Sequence, residues 1–292
     1  MKSIVVLSGK GGVGKSSITA SLAVSLSKDK KIVCADCDVD ASNLSLLFSL
    51  TENKYEEWKP ISTNQIAIID YEKCINCNKC LESCYFNAIK LKNGKRIVSD
   101  FGCEGCGACE LVCPVNAITL KPINNSFLGY AKTKYDFFIA SAQLQPGNSG
   151  SGKIVSKVRE KAIQLETDAD FLIIDSAAGI GCPVIASVTG TDYAIIVTEP
   201  TPSGFSDLKK AIQIVDHFKI KKGIIINKYD INQSFAEKME KYANNNSIKI
   251  IKKIPFDKNF ITAMTKMIPI IDLDNQYKSL FDEIKEEILR EI

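Results

Sequence analysis

The stretch VVLSGKGGVGKSS, residues 5–17, decides how the rest of the chain is read. An apolar run enters a glycine-rich turn, and the turn enters a Lys-Ser pair followed by ITASLAVSLS, a good helix former. A strand over Ser3–Leu7 and a helix over Lys15–Ser27 are therefore expected on either side of the turn. That is the context required by a phosphate-binding loop of the form G-x-x-x-x-G-K-[ST]. In Gly9, Lys10, Gly11, Gly12, Val13 and Gly14, the glycines let backbone N–H groups curl around phosphate oxygens. Lys15 supplies a point charge to the β and γ oxygens, Ser16 offers its hydroxyl to Mg2+, and Ser17 follows in the first helical turn. ATP or ADP with Mg2+ is the expected ligand.

Working outward, a second strand is expected over Lys31–Asp36 and a short helix near Ala41–Leu50, before the polar stretch TENKYEEWKP interrupts the pattern. Strand and helix alternation resumes after Pro122. The segments YDFFIA, FLIIDS, YAIIVTE, GIIINK and IKIIKKIP read as buried strands. Helices are expected between them near Lys153–Gln164, Pro183–Thr189, Ser203–Phe218 and Gln233–Asn244. Near-continuous apolar strands separated by helices imply a mostly parallel α/β sheet with helices on both faces. Residues 1–59 and 123–292 would form this P-loop domain, and residues 60–122 would be an insertion. A last helix, Ser279–Ile292, carries Leu280, Phe281, Ile284, Ile288 and Leu289 on one face and many acids on the other, so it is expected to dock on the core rather than on a membrane.

The chain has 292 residues with 45% hydrophobic and 24% charged, which suits a large globular core plus one small unit. A formal charge of +3 without a basic block gives nucleic acid binding no support. No run of about 18 apolar residues occurs, so no stable membrane anchor is expected. Met1–Leu7 reads as a buried strand rather than a leader, and a cytoplasmic protein is expected.

Eleven cysteines in a reducing compartment favour metal ligation over disulfides. Eight fall in two runs, CINCNKCLESCYFNAIKL from Cys74 and CEGCGACELVCPVNAITL from Cys103. These are one motif used twice, C-x2-C-x2-C-x3-C followed by Asn-Ala-Ile. The pattern is the bacterial ferredoxin run, whose fourth cysteine ligates the other cluster. Cys74, Cys77, Cys80 and Cys113 are thus expected to hold one 4Fe-4S cluster, and Cys103, Cys106, Cys109 and Cys84 the second. The insertion would be a small α+β ferredoxin-like unit, with Gly105, Gly107 and Ala108 making room for a cubane. Zinc competes less well, since its sites usually pair two C-x2-C halves across a longer gap. Tyr85 stands where the second run has Pro114.

The KGGVGK segment resembles the deviant Walker A motif of the MinD, ParA and Mrp group, which includes the nitrogenase iron protein. The resemblance covers the chain outside the insertion. It implies a nucleotide-sandwich dimer in which Lys10 reaches the partner's phosphates, either a homodimer or a heterodimer with a related ATPase. CADCDVDASNL resembles the first switch of that group, with Asp38 orienting the attacking water and Asp36 or Asp40 nearby. FLIIDSAAGIG resembles the second switch, with Asp175 holding a Mg2+ water, although Ser176, Ala177 and Ala178 replace the usual Pro. IIINK nominates Asn227, and IPFD nominates Pro255, for the adenine end. Slow ATP hydrolysis is the implied reaction.

Four features stand outside these motifs. GNSGSGK, residues 147–153, matches most of a second phosphate loop but continues with Ile154, which cannot hold Mg2+. Cys34 and Cys37 read as packing residues beside the first switch. Cys182 follows the second switch, where it could meet a symmetry mate. His217 reads as an ordinary helix residue. Three functions fit: ATP-gated electron transfer to a redox partner, assembly or insertion of a metallocofactor into a metalloprotein client, and a redox-sensing positioning switch. Coupling between the two halves is expected to pass through residues 36–43, just upstream of the insertion.

Overall fold

In the computed structural model, residues 1–99, 102–148 and 151–292 are described. The glycine loop is flanked by β1 (Lys2–Ser8) and α1 (Lys15–Ser27), followed by β2 (Ile32–Cys37). Strand β3 (Glu57–Ile69) leads to the cysteine runs, which contain α2 (Lys79–Ser83), β4 (Ile89–Lys92), β5 (Lys95–Val98) and α3 (Ala108–Leu111). Strand β6 (Ile118–Lys132) returns from them to β7 (Phe138–Leu144). Then come α4 (Ser151–Leu165), β8 (Phe171–Ala178), α5 (Cys182–Val188), β9 (Tyr193–Thr198), α6 (Pro202–His217) and β10 (Lys221–Asn227). The chain closes with α7 (Gln233–Asn245), β11 (Lys249–Ile254), α8 (Asn259–Thr265) and α9 (Asn275–Leu289).

Among the described residues, nine strands form one sheet in the order β11-β10-β9-β1-β8-β2-β7-β6-β3. The first seven in that order pair in parallel, while β6 pairs antiparallel with both β7 and β3. Successive residues of β1 point to opposite faces. Ile4 and Val6 pack with Leu22 and Leu26 of α1 and with Phe281, Ile284 and Ile288 of α9. Val5 and Leu7 pack with Ile154 and Val158 of α4, Val184 of α5 and Leu208 of α6. The docked C-terminal helix expected from its apolar stripe is thus present. No helix among the described residues is long and apolar enough to cross a membrane.

Two local expectations change. The helix expected near residues 41–50 is only a 3-10 turn at Leu46–Phe48. The Asp36 carboxylate accepts from Ser42 Oγ (2.6 Å) and Leu44 N (3.0 Å), which ties the segment down as a loop. The strand expected from Tyr135 begins at Phe138, because Thr133 N and Oγ1 both donate to Phe137 O and Asp136 takes a left-handed φ of 66°. That turn makes β6 and β7 a hairpin.

Strands β3 and β6 are far longer than the short strands expected around the cysteines. The inner part of β6, residues 126–132, pairs with β7, whereas residues 118–124 pair only with β3. Because Ser126 sits opposite Leu144, the last residue of β7, this outer part runs past the C-terminal edge of the parallel strands. The glycine loop lies at that same edge. An irregularity at Thr63 and Asn125 marks the departure, where the buried Asn125 Oδ1 accepts from Thr63 N (2.9 Å) and Thr63 Oγ1 (3.1 Å). Such bulges bend a ladder and increase its twist.

Candidate functional site

The loop after β1 closes over itself by contacts from β9 and β10. Gly14 takes a left-handed φ of 92°, and a Cβ there would lie 2.5 Å from Asn227 Nδ2, so only glycine fits. Asn227 is buried, donates from Nδ2 to Val13 O (2.8 Å), and accepts from Lys228 N (3.0 Å). Lys228 Nζ donates to Gly12 O and to Glu199 Oε2, each at 3.0 Å. Lys10 Nζ donates to the other oxygen of Glu199 (2.9 Å) and to Ser203 Oγ (3.4 Å). Burial opposes ionisation of Glu199, yet the two lysines outweigh it and hold its carboxyl below the ordinary range.

Lys15 lies buried under the loop. Its Nζ meets Asp175 Oδ1 at 2.9 Å, Ser16 Oγ at 3.3 Å and Asp38 Oδ2 at 3.9 Å. Thr19 Oγ1, one turn along α1, also donates to Asp175 Oδ1 (2.9 Å). Asp175 Oδ2 is buried with no hydrogen-bond partner among the described residues. Asp36 stands beside Asp175 on the neighbouring strand, and burial together with the Asp175 charge raises its carboxyl to about 7. Burial also raises Asp38, against the pull of Lys15. A cavity of about 410 Å3 is lined by Gly11, Gly12, Gly14, Lys15, Ser16, Ser17 and Asp38, and on its apolar side by Leu46, Leu47, Met264 and Met267.

The expected site residues are therefore not all gathered in one place. Lys15, Ser16, Ser17, Asp38 and Asp175 converge under the loop. Gly9 packs against the Asp207 backbone, where a Cβ would approach Asp207 O to 2.2 Å. Asp40 is exposed and outside the cavity lining. Pro255 is exposed and outside the cavity lining, and the Asn227 amide is engaged with the loop itself. Sequence reasoning missed Thr19, which no motif marks. It also missed Glu199, the acid directly after the apolar run of β9, which was a usable signal. Cys34 and Cys37 are buried, and burial raises both thiols. His217 sits at the last turn of α6, and Cys182 is exposed at the start of α5. Part of the 147–153 stretch falls outside the described residues.

The two cysteine runs fold alike, position by position. Left-handed φ angles recur at Asn76 (60°) and Gly105 (62°), at Asn78 (67°) and Gly107 (79°), and at Asn87 (52°) and Asn116 (51°). Each run then enters a short helix carrying a buried cysteine, Cys80 in α2 and Cys109 in α3. In each, the fourth cysteine accepts a backbone hydrogen bond four residues on: Ala88 N donates to Cys84 Sγ (3.3 Å) and Ala117 N to Cys113 Sγ (3.2 Å). One small cavity is lined by Cys84 of the first run together with Cys103, Cys106 and Cys109 of the second. Burial raises the Cys109 thiol to about 11, and the neighbouring Cys103 and Cys106 add to the rise.

Among the described residues, no three Cys, His, Asp or Glu side chains converge on a single-ion site.

Comparison with known proteins matches residues 4–270 to the family model described as the CobQ/CobB/MinD/ParA nucleotide binding domain. An uncharacterized protein of Methanocaldococcus jannaschii is 37% identical over 290 residues, covering 98% of this chain and 97% of its own. Among solved structures, the cell division ATPase MinD of Pyrococcus furiosus aligns with a TM-score of 0.60 at 18% identity, covering 99% of this chain and 98% of its own. The septum site-determining protein MinD of Pyrococcus horikoshii, solved with Mg-ADP, aligns with a TM-score of 0.57 at 18% identity over 98% of this chain and 95% of its own. A parallel sheet with a closed glycine loop, a buried Lys-Asp pair beneath it and a family match along most of the chain agree, and the chain belongs to the CobQ/CobB/MinD/ParA nucleotide-binding family.

Proposed function

We propose that the protein is an ATPase that couples nucleotide-driven switching between two copies, or with a related subunit, to electron transfer from two 4Fe-4S clusters to a redox partner. Residues 60–122 are the cofactor-bearing unit. The observation that carries this reading is the duplicated loop geometry, with Cys84 lining one cavity beside Cys103, Cys106 and Cys109.

At the nucleotide site, the loop N–H groups bind the phosphates and Lys15 moves from Asp175 to the β and γ oxygens. When Mg2+ is bound, the Ser16 hydroxyl would be its ligand from the chain, and the unpartnered Asp175 Oδ2 would be free to accept a hydrogen bond beside it. Asp38 orients the attacking water. Lys10 leaves Glu199 and reaches the partner's phosphates, adding positive charge where the transition state spreads negative charge. Asn227 keeps the loop closed.

In the inserted unit, Cys74, Cys77, Cys80 and Cys113 would hold one cluster, and Cys103, Cys106, Cys109 and Cys84 the other. When bound, such clusters supply one-electron redox chemistry. The chain's own share is to present thiolates, to direct the Ala88 and Ala117 N–H groups at ligand sulfurs, and to bury Cys80 and Cys109 away from water.

Anaerobic iron and acid-labile sulfide analysis tests the reading, with about eight of each expected per chain. Four iron, or zinc in place of iron, overturns it. Reversible reduction with iron retained supports electron transfer, whereas transfer of iron to an apo-protein makes this an assembly factor.

A further inference from the structure

Helix α4 touches both halves of the molecule. At its first turn, a Cβ built on Gly152 would stand 3.4 Å from both Cβ and O of Cys182, the first residue of α5. Further along, half-buried Arg159 donates from Nη1 to Ala186 O and to Thr189 O, each at 2.7 Å, which holds the last turn of α5. Helix α5 is joined directly to the segment after Asp175. That segment is bound to the glycine loop, since Gly179 N donates to Ser8 O (2.9 Å) and a Cβ at Gly11 would lie 4.0 Å from Ala178 Cβ. Any displacement of residues 176–181 by a γ-phosphate is therefore carried into α5 and α4 as a packed pair.

Near its C-terminal end α4 meets the root of β3 and β6, where β6 is still paired with β7. Lys161 Nζ pairs with Glu57 Oε2 at 2.7 Å and lies 4.5 Å from the Tyr130 ring centroid. Lys153, Ser156 and Lys157 face a cavity of about 600 Å3 whose opposite wall includes Glu104 and Gly105 of the second cysteine run. Gly105 is seated on the arm itself, where a Cβ would approach Gln65 O to 2.4 Å. No cysteine-run residue between 74 and 84 lines that cavity.

We propose that α4 transmits nucleotide state to the second cysteine run, Cys103–Cys109, and not to the first, with Arg159 as the positioning residue that couples it to the second switch. The proposal rests on the reading that the site binds ATP and that the runs carry the clusters. It replaces a path through residues 36–43 with one through the segment after Asp175.

Hydrogen–deuterium exchange on the full chain, held anaerobically with Mg2+ and either ADP or a non-hydrolysable ATP analogue, tests it. Peptides covering 102–112 should differ between the two nucleotides by roughly 5-fold or more, and peptides covering 74–84 should differ far less. Arg159→Met should erase the difference at 102–112 while nucleotide affinity and iron content stay at wild-type levels. If that variant fails to fold, Glu57→Gln, which cuts the ion pair of α4 with the root of β3, should reduce the same difference. Equal exchange at 102–112 with both nucleotides, a change confined to 74–84, or an undiminished difference in the variants overturns the proposal. Exchange is read on the chain whether or not iron is found, so absent iron sinks the cluster reading alone.

Discussion

Replacing Lys15 by Met should unfold the nucleotide-free protein more easily than its place in a binding loop suggests. Lys15 is 6% exposed and Asp175 is fully buried, with Nζ and Oδ1 2.9 Å apart. The substitution leaves a buried carboxylate with one hydroxyl donor, Thr19, and no opposite charge. Removing one partner of such a pair costs about 3–5 kcal/mol. Asp175→Asn should cost less, about 1–3 kcal/mol, because the lysine retains Asp38 at 3.9 Å. The double variant should recover about 1–3 kcal/mol relative to the sum of the single losses. Urea unfolding under anaerobic, nucleotide-free conditions measures all four corners of the cycle. ATP turnover should be lost in all three variants, which separates stability from chemistry. A Lys15→Met variant within about 1 kcal/mol of wild type, or strictly additive losses in the double variant, would refute this account of the buried pair.

Lys10→Ala should change stability by less than about 1 kcal/mol, since its ion pair with Glu199 is partly exposed, yet abolish ATP-dependent dimerisation seen by light scattering. A persistent dimer would remove Lys10 from that role. Asp36 titrates near 7 in the folded chain against 3.8 when exposed, so the folded state holds the proton longer and stability should fall as pH rises from about 4 to 7. Asp36→Asn should flatten that fall in a denaturation series, and an unchanged slope would exclude Asp36 as its source. Gly105→Ala places a Cβ against Gln65 O at a left-handed φ of 62° and should lower iron from about eight to about four per chain. Gly94→Ala, at a position with a left-handed φ of 74° but nothing within 4 Å, is the control and should keep full iron content.

The parallel sheet was legible because its strands are buried on both faces and so read as apolar runs, as Ile4–Leu7 and Leu172–Ile174 do. The loop and the cysteine runs were legible because their chemistry fixes residue type at fixed spacing. Strands β3 and β6 were not, because at this edge of the sheet only alternate or scattered positions are buried, and β3 carries Pro60, Thr63 and Asn64 along its length. Their pairing is pinned by the Asn125–Thr63 contacts, which join residues 62 positions apart. Long-range hydrogen bonds of this kind leave no local pattern. The same holds for Glu199, which gains its place only when β9 and the glycine loop meet across 189 positions.

The arm that carries the cysteines has a mechanical consequence. Its outer part, residues 118–124, extends roughly 20–25 Å past the point where β7 ends, at about 3.4 Å per residue. It is a lever with its fulcrum at Asn125, and a pivot of about 10° at that point sweeps the tip through roughly 4 Å. A change in twist small enough to leave every ladder hydrogen bond intact therefore resets how far the cysteine loops stand from whatever faces that edge of the sheet.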